Sequence, residues 1–506
     1  MQGKSDPNRE LLDAAALCRQ LVAKGSVEAF LADHRHQLFP DELFADLFPS
    51  GRGRPSIPAD VIATAMVLQA LEGLSDREAA RAVRDRISWK VACGLALDDD
   101  GFDYSVLTYW RTRLRHSEHP ERIFDAVREV IDATGVLAGR RRRALDSTIL
   151  DDAVATQDTV TQLISAIRRV RRLVPESAGV ALSGHDYDAG AKPVIAWDDP
   201  VAKQTLITAL VGDALALVAA LERLSLSGAA ADAVGLLALV AGQDVEPGDE
   251  PGTWRIARRV ASDRTISTVD PEARHTRKSP SQPRDGYKAN VAVEPETGLV
   301  TEAVLTPANT SDAEVAPELL EEEEPGVEVL GDSAYGSGHL RAGLDVAGHT
   351  ATIKPIPSRP AVPGGFGRDD FTVDHETNTV TCPASVTVTF GRSLKAHFGS
   401  RCTGCPLRER CTTSPKGRTL SLNLYDVELE AARRRAETEE FQQVYRRWRP
   451  MVERTIAWVV AGGNRRLRYR GVARNHQWLL TRTAALNLRR LINLGLDYDG
   501  VWVLAR

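Results

Sequence analysis

Apolar residues recur every three or four positions through most of residues 8–135, which predicts a helical N-terminal region. IPADVIATAMVLQALEGL (57–74) has that spacing behind Pro58 and a stop signal at Gly73. LSDREAARAVRD (74–85) follows, with Ser75 and Glu78 three positions apart in the capping-box pattern. Further helical pieces fall at 88–95 and 105–115. Helix, short turn and helix are compatible with a DNA-binding helix-turn-helix module and equally with a plain helical bundle. A strand is expected at 143–150, then a helical block over 156–243.

Beyond the loop GQDVEPGDEPG (242–252) the period changes to two. The β-rich runs 287–293 and 299–305 flank EPETG and predict a hairpin. Asn309, Ser311 and Asp312 predict the cap of a helix running to about 323. VEVLGD (327–332) and ATIKPI (351–356) read as strands. PIPSRPAVPGGFGRDD (355–370) marks a boundary, a small β-rich segment occupies 371–424, and helices fill the chain from about 427.

This order predicts an α/β fold, a mixed sheet flanked by helices. The expected division is 1–135, a helical DNA-binding region; 136–358, the first part of a catalytic core with a helical insert at about 156–245; 359–425, a cysteine-rich insert; and 426–506, the helical remainder of the core.

Composition changes this picture little. With 43% hydrophobic and 26% charged residues the chain has ordinary globular composition, and its net charge of −5 does not advertise nucleic-acid binding. The distribution matters more: GRRRR (139–143), RRVRR (168–172) and NRRLRYRGVAR (464–474) are basic, LEEEEPGVE (320–328) is acidic. No N-terminal apolar leader and no uninterrupted span of about 18 apolar residues is read, so a cytoplasmic protein without membrane contact is expected.

Two stretches, RRRALDSTIL (141–150) and EVLGDSAYGSG (328–338), each run through small or apolar residues to one aspartate, Asp146 and Asp332. Each is expected at the carboxyl end of its strand, where reactive groups collect. The third acidic candidate is Glu453; Tyr445, Arg449 and Glu453 are four apart and share a helix face, unless Pro450 restarts the helix there and leaves Glu453 near a fresh N-terminus. Three carboxylates meeting at one point repel unless a divalent cation compensates them, and hard cations prefer oxygen ligands. Cys382, nineteen residues, Cys402-Thr-Gly-Cys405, five residues and Cys411 form a four-thiolate pattern suited to structural Zn2+.

ALDSTIL, GDSAYGS and YRRWRPMVERTIAWVVAGGNRRLRYRG resemble the three catalytic motifs of DDE transposases from bacterial insertion sequences. RPSIPADVIATAMVLQALEGLSDREAARAVRDRISWKVACGL is similar to their helical N-terminal module, and NHQWLLTRTAALNLRRL to their closing helix. The resemblance implies an RNase H-like core in which Asp146, Asp332 and Glu453 bind catalytic Mg2+ or Mn2+. It also implies a cysteine-rich insert between the second Asp and the Glu. Tyr445 and Arg449 resemble the family's phosphate-contacting pair, although relatives with the fuller signature set the tyrosine one residue nearer the arginine. Those relatives also carry a lysine seven residues after the glutamate, where Val460 stands here. Arg465, Arg466 and Arg468 could replace that charge, and Arg81 and Arg84 would join them on double-stranded DNA.

The implied activity is binding of element ends, metal-dependent strand cleavage and 3′-OH strand transfer, with a homodimer holding two ends. The alternatives are a domesticated, non-catalytic DNA-binding protein derived from a transposase, and an RNase H-like nuclease that does not join strands.

Overall fold

The strand predicted at 143–150 is the centre of the molecule. In the computed structural model, which describes residues 1–5, 12–279 and 281–505, it is β1, Arg142–Asp151. The helical expectation for residues 8–11 lies outside the described residues. Four further strands, β2 (Arg274–Ser279), β3 (Gln282–Glu294), β4 (Leu299–Pro307) and β5 (Glu328–Gly331), join β1 and β6 (Thr350–Ile353) in a six-stranded mixed sheet. The order is β2–β3–β1–β5–β6, with β4 on the other half of the outer edge of β3. β3 runs antiparallel to β1, and β5 and β6 run parallel to it and to each other. Gly286, opposite Asp151 in that ladder, has φ +143°; a Cβ there would sit 2.2 Å from the Leu150 carbonyl oxygen, so only glycine fits the crossing.

Successive side chains of a strand face opposite sides. One face of the sheet holds Leu145, Val329 and Ile353 in a cluster with Leu319, Tyr335, Leu340 and Leu344. The other face, with Ala144, Val291 and Leu330, belongs to a larger cluster that also contains the N-terminal helices and the last two long helices. Those N-terminal helices are α1 (Val27–Leu38), α2 (Ala59–Glu72), α3 (Asp76–Asp85), α4 (Ile87–Cys93), α5 (Ser105–Arg115) and α6 (Arg122–Thr134). The capping box at α3 forms as the spacing requires: the Glu78 backbone N–H donates to Ser75 Oγ, and the Ser75 backbone N–H donates to Glu78 Oε2.

The insert after β1 has its own apolar core, built from α7 (Thr159–Leu173), α8 (Pro200–Leu221) and α9 (Gly228–Gln243). Residues 180–199 within it are not helical, so the predicted block is three helices and a loop. α8 is the one described helix long and apolar enough to cross a membrane, yet Leu206, Leu210, Leu217 and Leu221 on one face pack into this core. The cysteine-rich region folds around Phe371, Val380, Phe398 and Leu420 between short two- and three-stranded sheets.

Two expectations change, and one of two alternatives is settled. The helix predicted from 312 to 323 stops at Asp312–Val315, because Pro317 follows and only a short 3-10 turn, Glu318–Leu320, continues. Asp146 is not at a strand end but in the middle of β1, which stays paired with β3 as far as Asp151. Pro450 does not restart its helix: Glu439–Val460 is continuous, so Glu453 lies four turns in rather than at a new N-terminus. That helix is numbered α12, after α10 (Gly338–Val346) and α11 (Asp426–Ala436), and α13 is Val472–Asn493.

α13 is the central strut. Asn487 donates from its amide to the Val300 carbonyl and accepts the Val300 N–H, which docks the helix on β4. Arg482, 2% exposed, donates to the carbonyls of Ala70 and Leu71 at the end of α2 and of Trp458, Val459 and Ala461 at the end of α12. One guanidinium thereby satisfies the orphan carbonyls of two helix C-termini. The position of α12 over the sheet is fixed by this contact.

Candidate active site

The parallel ladder between β1 and β5 pairs Arg142 with Glu328, Arg143 with Val329 and Ala144 with Leu330, a constant offset of 186. Two residues further along both chains, the same offset sets Asp146 level with Asp332 (146 + 186 = 332). Neighbouring strands are about 4.8 Å apart, and residues at the same level of parallel strands face the same side. By alternation that side is the one carrying Ala144 and Leu330, the face covered by α12. β5 ends at Gly331, and Asp332 caps the short 3-10 turn Ser333–Tyr335, accepting the Ala334 N–H at 2.8 Å. The parallel partner thus stops where Asp146 begins, which leaves room above the sheet for both carboxylates.

Asp146 is met there by Arg449 of α12. The guanidinium grips the carboxylate with two nitrogens, Nη2 to Oδ1 at 3.0 Å and Nη1 to Oδ2 at 3.2 Å, and the Ser147 N–H adds a bond to Oδ1 at 2.9 Å. Side-chain exposures are 6% for Arg449 and 16% for Asp146, so this is a largely dry ion pair. Burial pushes the Asp146 carboxyl above its ordinary range; Arg449 opposes the shift, and the charge of Asp332 adds to it. Burial disfavours the charged guanidinium of Arg449, but Asp146, Tyr445 and Asp332 outweigh it and raise its pKa. Its Nε is buried without a hydrogen-bond partner. Tyr335, fully buried beneath the pair, likewise keeps an unpartnered hydroxyl, and its pKa is raised by burial and then by the charges of Asp312, Asp146 and Asp332.

Tyr445, one turn before Arg449, stacks on Phe441 with ring centroids 5.8 Å apart. Burial raises its pKa; Arg449 opposes the rise through its charge and a hydrogen bond, and Asp332 and Glu453 add to it. Glu453 itself is exposed, one turn beyond Arg449. The three carboxylates therefore adjoin one stretch of α12, Asp146 in the sheet below it, Asp332 in the turn that follows β5, and Glu453 exposed on the helix one turn beyond Arg449. Lys354 completes the surroundings: its backbone N–H donates to the Gly331 carbonyl, and its ammonium lies 4.8 Å from the Tyr445 ring centroid. Sequence reading passed over Lys354. The available signal was its place directly after β6, the strand beside the one that ends on Asp332.

Hard oxygen donors on adjacent strands suit a divalent cation. Among the described residues, however, no three His, Cys, Asp or Glu side chains converge closely enough to hold a metal ion. Arg449 supplies the compensating charge instead, and a metal entering between Asp146 and Asp332 has to displace it or share the carboxylate with it.

The basic residues fall into two groups. Arg465 donates to the Ile149 carbonyl at 3.1 Å; the Asp151 N–H bonds to the Arg465 carbonyl and the Leu467 N–H to the Asp151 carbonyl, so the loop after α12 extends the end of β1. Arg466 is exposed beside them, and Arg468 donates to the Gly73 carbonyl at 2.7 Å, which ties the loop to the α2–α3 turn. Arg81 and Arg84 are exposed on α3, Arg84 paired with Asp85 at 3.0 Å. The charges of Arg468 and Arg81 both help to lower the Glu78 pKa, after its bonds from Ser75, so loop and helix adjoin.

Cys382, Cys402, Cys405 and Cys411 are free thiols lining one small apolar cavity with Phe366, Phe371 and Phe398. Burial raises the Cys411 thiol, Arg418 opposes this, and the other three sulfurs add to the rise. The four share a pocket without forming a closed ligand set as placed.

Two family models match the chain. One, described as Transposase domain (DUF772), covers residues 19–113 and so takes in α1 to α5 except their last residues. The other, Transposase DDE domain, covers 379–492, from within the cysteine-rich region through Glu453 to the end of α13. Asp146 and Asp332 lie outside both matches. The comparisons with curated proteins and with solved structures return no match.

Proposed function

Because the two family matches support a DDE-type transposase of an insertion sequence, we propose that this chain binds the ends of its element, cuts them in a metal-dependent reaction and joins the freed 3′-hydroxyl to target DNA. The observation that carries the reading is the register of β1 and β5, which sets Asp146 level with Asp332 under the helix that bears Glu453. The strand path β4–β3–β1–β5–β6, three antiparallel strands followed by two parallel ones, supports an RNase H-like core.

In this reading Asp146, Asp332 and Glu453 hold Mg2+ or Mn2+, which when bound activates the attacking oxygen and stabilises the leaving one. The chain's own groups do the positioning. Arg449, buried with an unpartnered Nε, leaves Asp146 for a DNA phosphate, and Lys354 adds a second positive charge beside Tyr445. Tyr445 orders the phosphate side of the pocket. Arg465, Arg466, Arg468, Arg81 and Arg84 contact duplex phosphates, with the α2–α3 pair acting as a helix-turn-helix. Cys382, Cys402, Cys405 and Cys411 hold a structural Zn2+, supported by their shared cavity. The division into 1–135, 136–358, 359–425 and 426–506, a homodimer at the synapse and a cytoplasmic, nucleoid-associated location belong to the same proposal.

One observation favours the non-catalytic alternative: Arg449 already neutralises Asp146 while Glu453 is exposed. A strand-transfer assay on an oligonucleotide with a pre-cut 3′ end, with Mn2+ and with a chelator, decides. Metal-dependent joining supports the proposal. Cleavage without joining points to a nuclease, and binding without either to a domesticated protein.

A further inference from the structure

A groove of about 940 Å³ opens where the N-terminal helices, the helical insert and the start of α13 meet. Each region sends arginine into it: Arg115 from the end of α5, Arg169 from α7, and Arg470 and Arg474 from the segment that begins α13. Among the described residues none of these four is within ion-pair distance of a carboxylate. Arg115 donates to Thr112 Oγ1 at 3.3 Å and Arg169 to the Thr268 carbonyl at 2.9 Å, both neutral acceptors. Three acidic residues also line the groove, and none is within ion-pair distance of these arginines. Asp270 accepts the Tyr287 hydroxyl and the Gly471 N–H, Glu272 accepts the Val472 N–H, and Asp232 is exposed on α9. Guanidiniums held side by side repel; burial lowers the Arg115 pKa, and Arg474 and Arg111 lower it further. Crowded, unpaired arginine in an open groove is the arrangement that an oxyanion stabilises.

We propose that this groove seats the sugar-phosphate backbone of duplex DNA, and that the helical insert serves to supply its outer wall. The inference rests on the transposase reading and names where the duplex runs beyond the cut. Arg466 pairs with Asp151 at the end of β1, and the same loop continues through Arg468 to Arg470. From Asp146 to Asp151 is five extended residues, about 17 Å, or roughly five base pairs at 3.4 Å each. A phosphate held by Arg449 beside Asp146 is thus followed along the backbone by Arg465 and Arg466, and the loop continues from there to the groove. Arg115 and Arg474 are therefore backbone contacts that carry no sequence information.

The test measures binding of a fluorescein-labelled mixed-sequence duplex by anisotropy across a salt series. Each phosphate contact contributes about 0.9 to the slope of log K against log salt, so Arg115→Gln with Arg474→Gln lowers the slope by about 2. The paired Arg→Lys variants keep the wild-type slope, which separates charge from packing, and thermal melting confirms that all variants fold. Arg223→Gln, on an exposed turn after α8, serves as the reference and leaves the slope unchanged. An unaltered slope in the double glutamine variant, or an equal fall in the Arg223 variant, overturns the groove while leaving the transposase reading in place. Failure of the wild-type chain to bind the duplex at low salt sinks that reading, and the groove with it.

Discussion

Replacing Arg449 with glutamine removes the cation from the Asp146 pair while keeping most of its volume. The carboxylate that remains is 16% exposed and level with Asp332 on the next strand. Breaking a buried ion pair by deleting one partner costs about 3–5 kcal/mol. Two like charges about 5 Å apart at an effective dielectric of about 20 add roughly 3 kcal/mol if both stay ionised. The protein escapes part of this by protonating Asp146, whose pKa burial already raises. The folded carboxyl then keeps a proton that the unfolded chain has released, so stability falls as pH rises from the unfolded pKa to the folded one and is level above it. A deficit of about 3 kcal/mol is expected at pH 8, vanishing below about pH 3 where both states are protonated. Asp146→Asn in the same background restores most of it at pH 8. Mn2+ substitutes for the lost cation, so it raises the melting temperature of Arg449→Gln more than that of the wild type. Thermal melting over pH and Mn2+ concentration measures all three effects. A variant that melts with the wild type at pH 8 and responds identically to Mn2+ refutes the idea that Arg449 occupies the place of a metal.

Further outcomes concern other parts of the fold. Asp152 has a carboxyl pushed up to about 6 by burial, despite the Val154 N–H, with Asp285, Asp270 and Asp151 adding to the rise, and its Oδ2 is buried without a partner. The folded carboxyl keeps to about pH 6 a proton that the unfolded chain releases near pH 4, so Asp152→Asn stabilises the chain by up to about 3 kcal/mol at pH 8 and by little at pH 4; equal melting at both pH values contradicts this. Arg482→Met leaves the carbonyls of Ala70, Leu71 and Val459 without this donor and lowers stability by several kcal/mol in urea unfolding; a loss below about 1 kcal/mol would show that water replaces the guanidinium. Cys405→Ser abolishes a stoichiometric zinc seen by metal analysis and exposes residues 371–422 to limited proteolysis, whereas a wild-type chain purified without zinc disproves the ligand set.

Much of this architecture is legible in local sequence. The hairpin β3–β4, the capped helix α3 and the long helices α12 and α13 follow from period, caps and breakers at Ser75, Glu78 and the EPETG turn. Two prolines acted in opposite ways. Pro317 ended a helix that spacing extended, while α12 ran through Pro450 because its ends are held elsewhere, at Arg482 and along Asp146. The candidate carboxylates could be picked out as polar stops in apolar runs, but their shared level depends on a strand register between residues 186 apart, which no local rule supplies. Arg449 read as a DNA contact, and its pairing with Asp146 could not be foreseen from residues 303 apart. The arginines of the groove were invisible as a group because three separate regions contribute them.

The most direct measurement is metal-dependent cleavage and joining by Glu453→Gln on DNA carrying the element's own ends. Glu453 is the carboxylate that stands exposed on the far side of Arg449, so it is the one whose recruitment is least obvious. If the triad closes on DNA and metal, the variant binds the ends with wild-type affinity and neither cuts nor joins them. Cutting at the wild-type rate by Glu453→Gln contradicts the account.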